Sequence, residues 1–120
     1  MENGEIADYQ ISASEYRKIA QYVQPPYNAR LNRINFEGDE MPRWADPAPG
    51  TNNWIAVDLF TKHNITKVLI QGSSTGNDYI TTFTLSFSQD GYIWHDYRNS
   101  SGTIAVRLAY MKYANSYISI

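Results

Sequence analysis

Cysteine is absent from this chain of 120 residues, which excludes disulfides, thiol nucleophiles and zinc–thiolate sites. Long apolar runs are absent too, and every run falls far below the roughly 20 residues that a membrane-spanning helix needs. Positive charge is scarce: 10 basic and 12 acidic residues give a net charge of -2, which argues against nucleic acid as a partner. The N-terminal residues lack the basic and apolar regions of a signal peptide, so we expect no export signal here.

What is present is typical of a folded globular protein. Apolar residues make up 42% of the chain and aromatic residues 14%, with 10 tyrosines. A chain of this length is sufficient for one hydrophobic core and short for two. We therefore predict a single domain over residues 1–120.

Alternation of apolar and polar residues with period two is the clearest pattern in the chain. In residues 82–88, Phe83, Leu85 and Phe87 fall on one face, and threonine and serine fall on the other. This pattern predicts a half-buried strand. Short β-branched and aromatic runs predict further strands at residues 54–59, 65–71, 104–110 and 117–120.

Two stretches between the predicted strands have the composition of loops. Residues 15–23 are ended by Pro25 and Pro26, and residues 35–53 hold Gly, Pro, Asp and Glu with little periodicity. Short strands separated by turn signals, without alternating helices, predict an all-β antiparallel sandwich or barrel.

Five blocks of sequence follow one another in a characteristic order: residues 6–14, 29–32, 54–59, 65–72 and 79–94. The last block contains Ser88-Gln89-Asp90-Gly91 and, three residues later, Trp94. Together they resemble the discoidin family, also called the coagulation factor V/VIII type C (F5/8 type C) domain family. The resemblance implies a galactose-binding-like antiparallel β-sandwich or jelly roll that binds a ligand and is not an enzyme.

Several scaffold features are expected from this pattern. Asp90 and Gly91 are expected to form a tight turn, and Trp94 to return to the core. Arg30 and Asp58 are expected to form a partly buried ion pair. The chain departs from the family by lacking its usual cysteine pair and the hairpin after Trp94, so we predict a sandwich shortened at its C-terminal end.

The resemblance places ligand binding in loops at one end of the fold, here residues 17–24, 35–44 and 73–79. Aromatic rings beside polar side chains suit a sugar, which stacks an apolar face on a ring and needs hydrogen bonds at its rim. We therefore predict recognition of a glycan or glycoprotein in adhesion or targeting, at the cell surface or outside the cell, although a cytoplasmic location stays open. The predicted ligand-binding residues are Arg17, Ile19, Tyr22, Asp39, Arg43, Trp44, Asn77, Asp78 and Tyr79.

Two alternatives concern the same loops. Peripheral binding to anionic phospholipid membranes is the second hypothesis, because the first loop offers Ile19 and Tyr22, but the acidic residues 37–40 oppose it. These acidic residues with Asp46 also leave a structural calcium ion open, against the simpler interpretation of a solvated loop. We predict no other cofactor.

The remaining motifs carry little chemistry. His63 and His95 are the only histidines, and neither has a serine elbow, a cysteine or metal-ligand spacing beside it, so we predict no catalysis. The N-glycosylation acceptor motifs at residues 64–66 and 99–101 are compatible with secretion.

Overall fold

The computed structural model describes residues 5–33, 35, 37–47, 53–73, 78–104 and 107–108. Within these ranges the regular elements are short strands and two turns of 3-10 helix, Asp8–Gln10 and Pro26–Asn28, with no α-helix. No helix among the described residues has the length and apolarity to cross a membrane. The all-β character predicted from the alternating pattern is confirmed.

The chain divides into two compact units. The first comprises Met1–His63 with Ser73–Gly76, and the second comprises Asn64–Gly72 with Asn77–Ile120. A single domain over residues 1–120 stays a prediction.

The first unit is built on an antiparallel ladder of β1 (Ile11–Ala13) and β4 (Ile55–Val57). Ile11 faces Val57 and Ala13 faces Ile55, and Ile11 is almost fully buried. Of the strand predicted at residues 54–59, the part Ile55–Val57 forms. Gln10 stabilises the end of the ladder at Ile11 and Val57, since its side-chain amide donates to the Asp58 carbonyl at 2.6 Å.

A second antiparallel pair in the first unit consists of β2 (Lys18–Ile19) and β3 (Tyr22–Val23). The chain reverses at Ala20, which takes φ 52°, in the left-handed region that glycine usually occupies. We call residues 18–23 the hairpin. The prediction of a loop here was wrong, because the β-branched and aromatic residues on either side of Ala20 pair across a two-residue turn.

The predicted ion pair between Arg30 and Asp58 is also wrong. Arg30 instead pairs with Asp8, and the Asp58 carboxylate accepts from the backbone N–H of Phe60 at 2.8 Å. Arg30, Asp8 and Asp58 all belong to the first unit, where the Arg30 guanidinium meets the carboxylate of Asp8.

The second unit contains two antiparallel pairs of short strands. The strand β5 (Thr82–Phe83) pairs with β8 (Arg107–Leu108), and β6 (Ser86–Phe87) pairs with β7 (His95–Asp96). The predicted continuous strand at residues 82–88 is thus two short pieces.

The strand predicted at residues 65–71 does not form, since this described segment lies outside every ladder. Of the hairpin predicted from residues 104–120, only Ile104 and residues 107–108 are described. The predicted shortening of the C-terminal end lies outside the described residues.

Residues 88–94, which we call the 88–94 turn, connect β6 to β7. Gly91 has φ 76°, which confirms the expected tight turn at Asp90 and Gly91. The prediction that Trp94 returns to the core is wrong. Trp94 is 51% exposed, and its indole N–H donates to the Gly91 carbonyl at 3.3 Å. This bond explains the difference, because it directs the ring toward its own turn.

Candidate functional site

The hairpin lies beside residues 37–41 of the first unit. The backbone N–H of Val23 donates to the Asp39 carbonyl at 2.9 Å, and the Met41 N–H donates to the Val23 carbonyl at 2.8 Å. Residues 37–40 form a turn closed by reciprocal backbone bonds between Glu37 and Glu40. The first two predicted binding loops are therefore neighbours.

A polar cluster below the hairpin connects residues 24–28 with residues 40–41. The Nδ2 of Asn28, a residue only 1% exposed, donates to Glu40 Oε2 at 3.3 Å and to the Met41 carbonyl at 2.8 Å. The Tyr27 hydroxyl donates to Glu40 Oε1 at 2.6 Å, and Gln24 Nε2 contacts Met41 Sδ at 3.1 Å. We call these residues the clasp: Gln24, Tyr27, Asn28, Glu40 and Met41.

The clasp perturbs one titratable group strongly. The hydrogen bond to Glu40, followed by burial and then by the charges of Glu40 and Asp8, raises the pKa of Tyr27 to about 12 from its ordinary value of 10.0. The phenol is therefore a donor throughout the physiological pH range. It keeps the Glu40 carboxylate directed into the clasp rather than toward solvent.

Residues 43–46 return alongside the segment that leads into the hairpin. Arg17 Nε donates to the Asp46 carbonyl at 2.8 Å, and the indole N–H of Trp44 donates to the Glu15 carbonyl at 3.0 Å. Arg43 donates from Nη1 to the Ser73 hydroxyl at 2.9 Å. Two of the predicted binding side chains, Arg17 and Trp44, thus also bond to backbone carbonyls, and Arg43 bonds to a side-chain hydroxyl.

The hairpin exposes two of its apolar and aromatic side chains. Ile19 is 49% exposed and Tyr22 38%, and because they oppose each other across the pair they share one face. Lys18 is the first residue of the hairpin, and its Nζ stands 5.1 Å from the centre of the ring of Tyr16, which precedes the hairpin, within the range of a cation–π contact. The hairpin therefore presents the Tyr22 ring, and a second aromatic ring lies just before it with a cation close by.

Two carboxylates near the hairpin, those of Glu37 and Glu40, are held by donors from the protein. Glu40 accepts from the clasp, and Glu37 pairs with Arg33 at 2.9 Å. Within the described ranges, no three His, Asp or Glu side chains converge as metal ligands. A structural calcium ion at the acidic turn stays a hypothesis.

The histidines belong to exposed positions. The His63 ring nitrogen lies 3.0 Å from the Thr61 hydroxyl, and the His95 ring packs against Phe87 with 5.7 Å between centroids. His95 also lines an open depression of about 300 Å³ in the second unit, whose wall includes Asp90. Asp90 accepts from two backbone N–H groups and the Ser88 hydroxyl, so its carboxylate is engaged within its own turn.

The sequence of the chain is similar to those of a known protein family. A model of the F5/8 type C domain matches residues 10–116. The chain belongs to the F5/8 type C domain family. Both the resemblance to discoidin domains and the predicted β-sandwich fold class are thereby confirmed. Domains of this family are generally non-catalytic binding modules.

Three relatives illustrate the extent of the similarity. Coagulation factor V of Homo sapiens is 32% identical over 111 residues, which cover 87% of this chain and 5% of the factor. Coagulation factor VIII of Canis lupus familiaris is 35% identical over 109 residues, covering 88% and 4%. SCO-spondin of Gallus gallus is 38% identical over 84 residues, covering 65% and 2%. This F5/8 type C domain thus spans only 2–5% of the length of these three relatives.

The first unit brings together six of the nine predicted binding residues of this F5/8 type C domain. They are Arg17, Ile19, Tyr22, Asp39, Arg43 and Trp44. Asp78 and Tyr79 belong to the second unit, where Tyr79 is 49% exposed, and Asn77 lies outside the described residues. The site as a whole stays a prediction.

Sequence reasoning did not include Lys18 or the clasp in the site. The signal for Lys18 is its position two residues after Tyr16, a spacing that puts both on one side of an extended chain. The clasp has no local signal, because its hydrogen bonds join residues 12 or 13 positions apart.

Proposed function

We propose that this domain is a non-enzymatic module that recognises a glycan or glycoprotein at the cell surface or outside the cell, in adhesion or targeting. The observation that carries the proposal is the exposed face of the hairpin, where Ile19 and Tyr22 oppose each other beside the acidic turn. A pyranose stacks its C–H face on such a ring.

Polar groups around the hairpin supply the donors and acceptors that sugar hydroxyls need. Arg17 is fixed through its Nε bond to the Asp46 carbonyl, and no hydrogen bond in the described part of the chain uses its Nη atoms. Asp39 is exposed on the adjacent turn. A guanidinium held at its Nε and an exposed carboxylate on segments that adjoin the hairpin favour a hydroxylated ligand over a purely apolar one.

The relatives support an extracellular setting and a binding role. Two of those described above are coagulation factors by name, and the family consists generally of non-catalytic modules. Adhesion or targeting is the role we propose for this chain within its parent protein.

A glycan array probed with the purified 120-residue chain tests the proposal. For the sugar that binds, Tyr22→Ala should weaken affinity about tenfold, which corresponds to 1.4 kcal/mol. Tyr92→Ala is the matched control, because Tyr92 is 90% exposed on the 88–94 turn of the second unit and should leave affinity unchanged. Equal losses in the two variants would contradict the assignment to the hairpin.

A membrane remains the second candidate because of one observation: Ile19 is exposed at the hairpin turn beside the cationic Lys18. Glu37 and Asp39 on the adjacent turn oppose an anionic surface. If no sugar binds and the chain sediments with phosphatidylserine vesicles, with Ile19→Asp abolishing sedimentation, the membrane function replaces the glycan function.

A further inference from the structure

The second unit contains two Asn-x-Ser/Thr motifs in opposite structural settings. In the first, Asn64, Ile65 and Thr66 are all exposed, and the segment belongs to no strand. In the described part of the chain, no hydrogen bond uses the Asn64 amide or the Thr66 hydroxyl. Both side chains of this motif are therefore presented to solvent.

The second motif is built into a turn. The Oδ1 of Asn99 accepts from the Ser101 N–H at 3.1 Å, the Ser101 hydroxyl at 2.7 Å and the Thr103 N–H at 3.0 Å. Backbone bonds close the same turn, from Asn99 N–H to the Thr103 carbonyl and from Gly102 N–H to the Asn99 carbonyl. The asparagine and the hydroxyl of this motif thus bond to each other.

This contrast matters because a transferase must bind the asparagine amide and the hydroxyl of the motif together. All the hydrogen bonds around Asn99 span at most four residues, and local turns and hairpins close within about 1–10 μs. The turn therefore competes with the transferase as soon as the segment emerges. Around Asn64 no such local bond forms, so its motif stays available.

We propose that Asn64 is an N-glycosylation site of this protein and that Asn99 is protected by its turn. Nδ2 of Asn64 bonds to C1 of the first sugar of an oligosaccharide carried on a lipid diphosphate. The bond from C1 to the diphosphate oxygen breaks, the lipid diphosphate leaves with the electron pair, and one Nδ2 proton passes to a base of the transferase. The donor and the transferase belong to the secretory pathway, so the inference rests on the extracellular part of the proposed function.

The modification has a structural consequence for the segment that carries it. Ile65 is 59% exposed between Asn64 and Thr66, and an attached glycan covers apolar surface of this kind. A hydrated oligosaccharide also prevents close packing of a partner protein on residues 64–66. This part of the surface therefore faces solvent in the parent protein.

The 120-residue chain, directed into the secretory pathway of insect cells by a cleavable leader, provides the test. Intact-mass spectrometry before and after peptide-N-glycosidase F should show one glycan per molecule, and peptide mapping should place it at Asn64. Asn64→Gln and Thr66→Ala should each remove that glycan. Asn99→Gln should leave the mass of the attached glycan unchanged. Secretion and circular dichroism identify chains that fold.

A variant that opens the turn tests the reason for the selectivity. Thr103→Pro removes the N–H that donates to Asn99 Oδ1, and it should add a second glycan at Asn99. An unmodified Asn64 in a secreted, folded chain overturns the proposal, as does a glycan at Asn99 in the unaltered chain. Sugar binding is measured separately on unglycosylated chain from bacteria, so failure of the proposed function is distinguishable from failure of this inference.

Discussion

The clasp of the first unit and the 88–94 turn of the second both hold a chain reversal, by different means. In the clasp, Asn28 and Tyr27 reach residues 12 or 13 positions away, and Asn28 is fully enclosed. In the 88–94 turn, Asp90 and Ser88 bond only to residues two or three positions away, and the bonded groups are exposed. One reversal depends on the fold around it and the other on its own sequence.

This difference predicts which substitutions should change the free energy of unfolding most. A buried acceptor that loses its donor has no water to replace that donor. The full desolvation penalty of the acceptor then lowers the stability of the folded state. An exposed group that loses a local partner bonds to water instead. We therefore expect substitutions in the clasp to lower the free energy of unfolding more than substitutions in the 88–94 turn do.

The largest effect is expected from Asn28→Ala. The change removes the donor to Glu40 Oε2 and to the Met41 carbonyl, although Tyr27 still donates to Glu40 Oε1, and it creates a small cavity. The free energy of unfolding should therefore fall by about 2 kcal/mol. Urea denaturation measures it. We do not expect a larger loss, because Oδ1 of Asn28 is itself buried without a partner in the described structure, and the substitution removes that unsatisfied atom as well. Asn35→Ala, at an exposed position, is the matched control and should change stability by less than about 0.5 kcal/mol.

A pH-dependent effect is expected from Tyr27. Because the pKa of Tyr27 rises to about 12 in the folded protein, the folded state holds its proton between pH 10 and 12 while the unfolded state releases it. The stabilisation is therefore complete below pH 10 and is lost as the pH rises toward 12. Unfolding at pH 9 and 11 should show a steeper loss for the unaltered chain than for Tyr27→Phe. Equal slopes would mean that the phenol does not bond to Glu40 in solution.

The smallest effect is expected at the 88–94 turn. Bonds from the backbone N–H groups of Ile93 and Tyr92, then from Ser88, lower the pKa of Asp90 below its ordinary value of 3.8. Its contribution is present above pH 3.8 and is lost as the pH falls through the lower folded-state value. Asp90→Asn keeps an acceptor but removes the titration, so this part of the acid-induced loss should disappear with little change at pH 7. A loss at pH 7 as large as that of Asn28→Ala would contradict the comparison.

The same comparison explains how much could be predicted from the sequence. The alternation around Phe83 and Leu85 and the turn at Gly91 depend on neighbouring residues, so the strands and the turn were predictable. The partner of Arg30 and the residues of the clasp depend on which segments meet in space, and no local pattern encodes that. The hairpin was missed because Ala20 occupies a conformation for which glycine is the usual signal.

The candidate site divides in a similar way. The six predicted binding residues on the first two predicted loops, five of them aromatic or charged and one an isoleucine, could be selected by chemistry, and all six lie in the first unit. Their second task, holding backbone carbonyls, could not be predicted, because Arg17 and Trp44 reach residues 29 positions away. Long separations of this kind require the fold before the contact can be identified.

Several side-chain bonds in the first unit end on main-chain oxygens: those of Glu15, Met41, Asp46 and Asp58. Every amino acid carries that oxygen, so replacing the side chain at an accepting position leaves the bond in place. Evolution can therefore exchange the residues that a ligand meets at Glu15 or Asp46 while the supporting framework persists. Preference for one ligand over another is free to diverge between paralogues faster than the architecture that presents it.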